Sequence, residues 1–90
     1  MIVNKPWGRE RIILKWEGYT VKILEVDEGH RTSLQYHNKK NEMMYYEDGR
    51  VVFIPPGLPH RLVGPVKVLE VSWNGDDSDI VRLEDDYNRA

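Results

Sequence analysis

The sequence predicts an all-β fold, a small sandwich or barrel of short strands. Three observations carry that expectation. Seven glycines, from Gly8 to Gly75, break the chain at spacings of 7 to 20 residues. No capped apolar stripe of helical period lies between them. "WEGY" and "YEDGR" have the form of tight hairpin turns, with Gly18 and Gly49 supplying the positive φ such turns need.

Strands are expected at Arg11–Trp16, Tyr19–Val26, Thr32–Asn38, Glu42–Glu47, Arg50–Ile54, His60–Val63 and Val66–Trp73. The segment "IPPGLPH" is a rigid loop, because its prolines fix φ and cannot donate to a ladder. The tail "GDDSDIVRLEDDYNRA" is acidic and, on composition, irregular, with at most one short helical turn.

Composition bounds the function classes. Ninety residues make one domain, spanning 1–90. A chain this short buries only about 60% of its extended surface, so a well-packed core or a partner is needed. A formal net charge of −2 gives no general pull toward nucleic acid or anionic membrane. The absence of cysteine removes disulfide and thiolate chemistry. No signal core and no apolar run of membrane-spanning length is present, which gives a cytoplasmic expectation.

One polar constellation stands out. Along Thr32–Asn38 the side chains alternate faces, so Gln35 and His37 share one side and Leu34 and Tyr36 the other. Glu42 follows the turn "NKKN" and is expected opposite His37 in a hairpin, about 5 Å away. His60 emerges directly from the proline loop, aimed by a stiff segment. An amide oxygen, two imidazoles and a carboxylate suit one divalent transition metal: zinc, iron, manganese, cobalt or nickel.

The joint spacing resembles the cupin signature. Gly29, Gln35, His37, Glu42 and Gly49 stand at the first motif's spacing, with Gln35 in place of its first histidine. Gly49, Pro55, Gly57 and His60 stand at the second's, with Gly64 in place of its final asparagine. The chain further resembles the C-terminal cupin domain of type II mannose-6-phosphate isomerases, from about Asn4 to Arg89. "KPWGRE", "YTVKILEVDEG", "SLQYHNKKNE", "IPPGLPHRL", "VLEVSWNG" and "DIVRLEDDYNR" carry that likeness. Glutamine is that family's normal occupant of the first metal position.

The resemblance implies a jelly-roll-like cupin barrel. One glycine, Gly49, serves both motifs, so the strand pair that normally separates them is expected to be missing. Such a shortened barrel leaves unpaired edges, and a homodimer is expected to cover them, with "RIILKW" contributing. No guanylyltransferase half is expected, since Met1 stands just ahead of the cupin.

The resemblance also implies metal-assisted aldose–ketose isomerisation of a sugar phosphate. Gln35, His37, Glu42 and His60 would hold the metal, Glu70 or Lys22 would move the proton, and Arg61 would grip the phosphate. Two other functions stay open: a non-catalytic cupin that binds a metal or sugar, and an iron-dependent oxygenase. The latter rests on fold analogy alone.

Overall fold

The computed structural model describes residues 1–89. It is built of β1 (Ile2–Lys5), β2 (Gly8–Trp16), β3 (Tyr19–Val26), β4 (Leu34–His37), β5 (Asn41–Tyr46), β6 (Val51–Ile54), β7 (Val66–Trp73) and β8 (Ile80–Glu84). A single turn of 3-10 helix, Asp77–Asp79, precedes β8. The all-β expectation holds. Among the described residues no helix is long and apolar enough to cross a membrane.

Six strands form one antiparallel sheet in the order β1-β2-β3-β7-β5-β6, and β4 and β8 form a second. The two enclose a small cupin-like barrel. β3 and β7 match their expected bounds. The β2–β3 turn has Glu17 at φ 46° and Gly18 at φ 85°. Two positive φ values give a type I′ turn, whose twist matches the strands it joins. The β5–β6 connection is likewise one tight turn at Gly49 (φ 93°), so no further strand pair stands between the two motif halves.

Three expectations need correction. His60–Val63 is not a strand: it touches the fold through isolated bridges, Gln35 to His60 and Arg31 to Val63. Its register partners are too few to propagate a ladder between prolines. The tail is more than a helical turn, because Ile80–Glu84 pairs with β4. Charge alone hid the alternation of "IVRLE". Finally, β4 and β5 are not hairpin partners. Both edges of β5 are taken, by β6 and β7, so the turn after His37 carries the chain across to the opposite sheet. β1 lies outside the expected strands altogether and pairs with β2 through a two-residue turn at Pro6 and Trp7.

The inner face of the large sheet is divided along its length. Leu24, Val26, Met44, Ile54 and Val68 pack with Trp7 and Leu62 into the core. Toward the other end the inward positions become Lys22, Glu70, Ser72 and Glu42, all buried. Register explains the grouping: Lys22 lies opposite Glu70, and Glu42 opposite Ser72. Apolar burial stabilises one end of the barrel and leaves the other for charge.

Candidate metal centre

His37, Glu42 and His60 converge, with ligand atoms within 4.8 Å of one another. Glu42 projects from β5 and is only 2% exposed. Its Oε1 lies 3.1 Å from His37 Nε2, and its Oε2 lies 3.2 Å from His60 Nε2. His37 and Glu42 therefore meet across the barrel from opposite sheets. Gln35 lines the same cavity and is locked beside His60 by two backbone hydrogen bonds of 2.8 and 3.0 Å.

The proline loop aims His60 as its composition suggests. Leu58 N–H donates to the Pro55 carbonyl, and Gly57 at φ 83° occupies the positive-φ corner of that turn. Gly57 N–H also donates to the His37 carbonyl, tying the loop to β4.

Both imidazoles are oriented from behind. His60 Nδ1 donates to the Leu58 carbonyl at 2.9 Å, and His37 Nδ1 donates to Asp79 at 2.7 Å. A carbonyl and a carboxylate can only accept, so each Nδ1 carries the hydrogen. In the neutral rings the Nε2 lone pairs then face the oxygens of Glu42. Lone pairs facing lone pairs require a cation between them: a proton or a metal. Burial alone would lower the His37 pKa, but hydrogen bonds to Glu42 and Asp79 outweigh it and raise the value overall. Burial alone would raise Glu42, yet hydrogen bonds from the two histidines and the Lys40 charge hold its carboxyl far below the usual range.

Lys40 was not legible as a site residue and is central to the site. Its Nζ lies 3.1 Å from Glu42, 3.1 Å from Glu70 and 2.8 Å from Asp77. Burial works against its charge, but these carboxylates overcome it and raise its pKa strongly. Lys22 Nζ lies 3.3 Å from Glu10, 3.2 Å from Asp77 and 4.0 Å from Glu70. The same opposition of burial against Glu70 and Asp77 leaves its pKa raised. Glu70 is raised as well, because burial outweighs the two ammoniums beside it. In this network two ammoniums face four carboxylates. The residues present thus fit a divalent cation in donor type, in orientation and in charge.

Glu70 and Lys22 both line the cavity, whereas Arg61 does not. Its guanidinium reaches the Thr32 carbonyl at 3.1 Å and Glu84 at 3.4 Å. The cations that do line the cavity, besides the two lysines of the network, are Lys5, Arg82 and Arg89. Arg89 is held by Asp85 at 2.8 and 3.1 Å. Arg82 lies opposite Gln35 in the β4–β8 pair, and its buried Nε has no hydrogen-bond partner. Asp79, the residue behind His37, opens the "DIVR" segment. That likeness was its only signal in the sequence.

No family model matches the sequence. Among curated proteins the chain is similar to the xanthan biosynthesis protein XanB of Xanthomonas campestris pv. campestris, at 32% identity over 98% of the chain. It is also similar to proteins named mannose-1-phosphate guanylyltransferase from Klebsiella pneumoniae and Escherichia coli, at 27% identity over 98% of the chain. The chain spans about a quarter of their length, 24% of the first and 23% of the other two. The aligned stretch of 111 positions exceeds the 90 residues of the chain. The relatives therefore carry residues here that this chain lacks, in keeping with a shortened barrel. The names point to sugar-phosphate metabolism.

Proposed function

We propose that the cavity binds one divalent transition metal through Gln35, His37, Glu42 and His60 and acts on a sugar phosphate by aldose–ketose isomerisation, as a mannose-6-phosphate isomerase does. One observation carries the metal assignment: a buried glutamate sits between two imidazole Nε2 atoms whose Nδ1 atoms are already committed. The sugar-phosphate class rests on the relatives named above and on the basic residues that line the cavity.

A bound dication would polarise the substrate's carbonyl and hydroxyl oxygens. The protein's own groups divide the remaining work. Glu70 is the better proton carrier of the two candidates, because its raised pKa suits exchange of a proton. Lys22 is stabilised as an ammonium by Glu10 and Asp77, which suits it to hold Glu70 in place. Arg82, which lines the cavity where Arg61 does not, takes the phosphate role expected of Arg61, and Lys5 lines the same cavity.

A second reading has one observation in its favour. The cavity holds about 90 Å³, well below the ~300 Å³ at the small end of ligand pockets. A hexose phosphate fits only if side chains move, so a chain that binds metal without turnover is the alternative. Metal analysis after incubation with each divalent cation, beside a coupled assay for fructose 6-phosphate, tests both. One metal per chain, lost in His37→Ala, is expected, with weak turnover that disappears in the same variant. Turnover that survives metal stripping or His37→Ala would overturn the metal-centred reading.

A further inference from the structure

The outer face of the six-stranded sheet has an uncovered apolar surface. Strand alternation turns Lys22, Leu24, Glu70 and Glu42 inward, so their neighbours face out. In register across five strands these neighbours form the row Leu14, Val21, Val71, Met43 and Phe53. On one side of it Trp16, Tyr19 and Trp73 form a second row. On the other, Ile23, Leu69, Tyr45 and Val51 form a third, with Arg11 at its end. Trp16 is 62% exposed, Val51 52% and Phe53 48%. At strand spacings of about 4.8 Å and row spacings near 6.7 Å these twelve positions cover roughly 400 Å². That is already as large as the largest apolar patch on a typical monomer, and the charged rim extends it toward the ~800 Å² that each partner buries in a standard interface.

We infer that this face packs against the same face of a second copy of the chain. The rim argues for self-association over another occupant. Below the third row, Arg9, Glu25 and Lys67 follow one another on β2, β3 and β7, alternating in sign. β3 and β7 are the two middle strands of the sheet. A two-fold axis running between them gives the largest overlap of the apolar rows. The same axis sets Glu25 opposite the other copy's Lys67, and Lys67 opposite its Glu25. One symmetry element thus satisfies both shape and charge, as an isologous interface requires. Two sheets stacked in this way pack about 10 Å apart at a small crossing angle. The surface is distinct from the strand edges that the sequence suggested, and it is independent of the metal centre.

Sedimentation of the full chain across a hundredfold range in the micromolar regime tests this. The expected result is a species of twice the chain mass. Phe53→Lys and Leu69→Lys, both at exposed positions, should return it to monomer with unchanged far-ultraviolet dichroism. Should either lysine variant misfold, the rim variants keep the test intact. Glu25→Lys and Lys67→Glu should each weaken the homodimer at least tenfold, and mixing the two should restore a dimer containing one of each. A folded monomer at every concentration overturns the inference. So does a dimer unaffected by Leu69→Lys, which would place the contact elsewhere, or a monomer that instead binds neutral phospholipid vesicles.

Discussion

His37 Nδ1 lies 2.7 Å from the carboxylate of Asp79, forty-two residues further along the chain. The same carboxylate accepts the backbone N–H groups of Lys39 at 2.7 Å and Lys40 at 3.0 Å. One side chain therefore sets the ring orientation of one proposed ligand and the turn that delivers the next. Groups behind a metal ligand typically contribute 10- to 100-fold in affinity. Asp79→Ala should weaken zinc binding by about that factor, read by competition with a chromophoric chelator.

Lys40 is the counter-charge that permits Glu42 and Glu70 to be buried together. Removing one partner from a buried ion-pair network leaves uncompensated charge and costs about 3–5 kcal/mol. Lys40→Met should lower the urea midpoint of the metal-free protein accordingly. A divalent cation supplies the missing charge from outside, so the gain in thermal midpoint on adding zinc should be larger in Lys40→Met than in the parent.

Arg82 and Arg61 make opposite predictions about substrate affinity. Arg82 lines the cavity and Arg61 does not. If turnover of a sugar phosphate is measured, Arg82→Gln should raise KM at least tenfold with a smaller effect on kcat. Arg61→Gln should leave KM within about twofold.

Acid stability depends on Asp85. Its side chain is fully enclosed (0% exposed) and accepts from the Tyr87 and Arg89 backbone and from the Arg89 guanidinium. The hydrogen bonds from Arg89 lead the effects that hold its pKa below the usual value. A depressed folded value means the contribution is fully present above the unfolded pKa, near 3.9. It is lost as pH falls through the lower folded value. Asp85→Asn should therefore reduce stability at neutral pH and flatten its decline below about pH 4, measured as urea midpoints across the acid range.

Gly64 should not tolerate a side chain. A Cβ there would lie 1.9 Å from the Asp27 carbonyl oxygen and 3.0 Å from that of Val26. The clash is with backbone, which no rotamer can relieve. Gly64→Ala should cost more than about 3 kcal/mol, and Gly64→Asn, which places the final asparagine of the cupin signature there, should be no better tolerated.

How much of this was legible varied with the length scale of the information. Period-two alternation in "SLQYH" placed Gln35 and His37 on the cavity side, and the stiffness of "IPPGLPH" anticipated an aimed His60. Both are local properties. The meeting of His37 with Glu42 was anticipated for the wrong reason, because sequence proximity suggested a hairpin where the chain changes sheets. Lys40 stood only as part of the turn "NKKN", since nothing local distinguishes it from Lys39. The carboxylates that enclose it include Glu70 on β7 and Asp77 in the helical turn, and contacts between such distant segments leave no periodic trace. Arg61 was visible as a phosphate candidate through its adjacency to His60, while the register that sets Arg82 opposite Gln35 on the cavity lining left no local trace.

The β4–β8 pair also carries a temporal consequence. During synthesis Gln35, His37, Glu42 and His60 emerge from the ribosome well before Asp79 and β8 exist. Until those later residues arrive, nothing orients His37 and one wall of the barrel is missing. Contacts of such long sequence separation form late, so capture of the proposed ion would wait for the emergence of β8. A nascent chain stalled before Asp79 should therefore retain zinc far more weakly than one that has passed the "DIVR" segment.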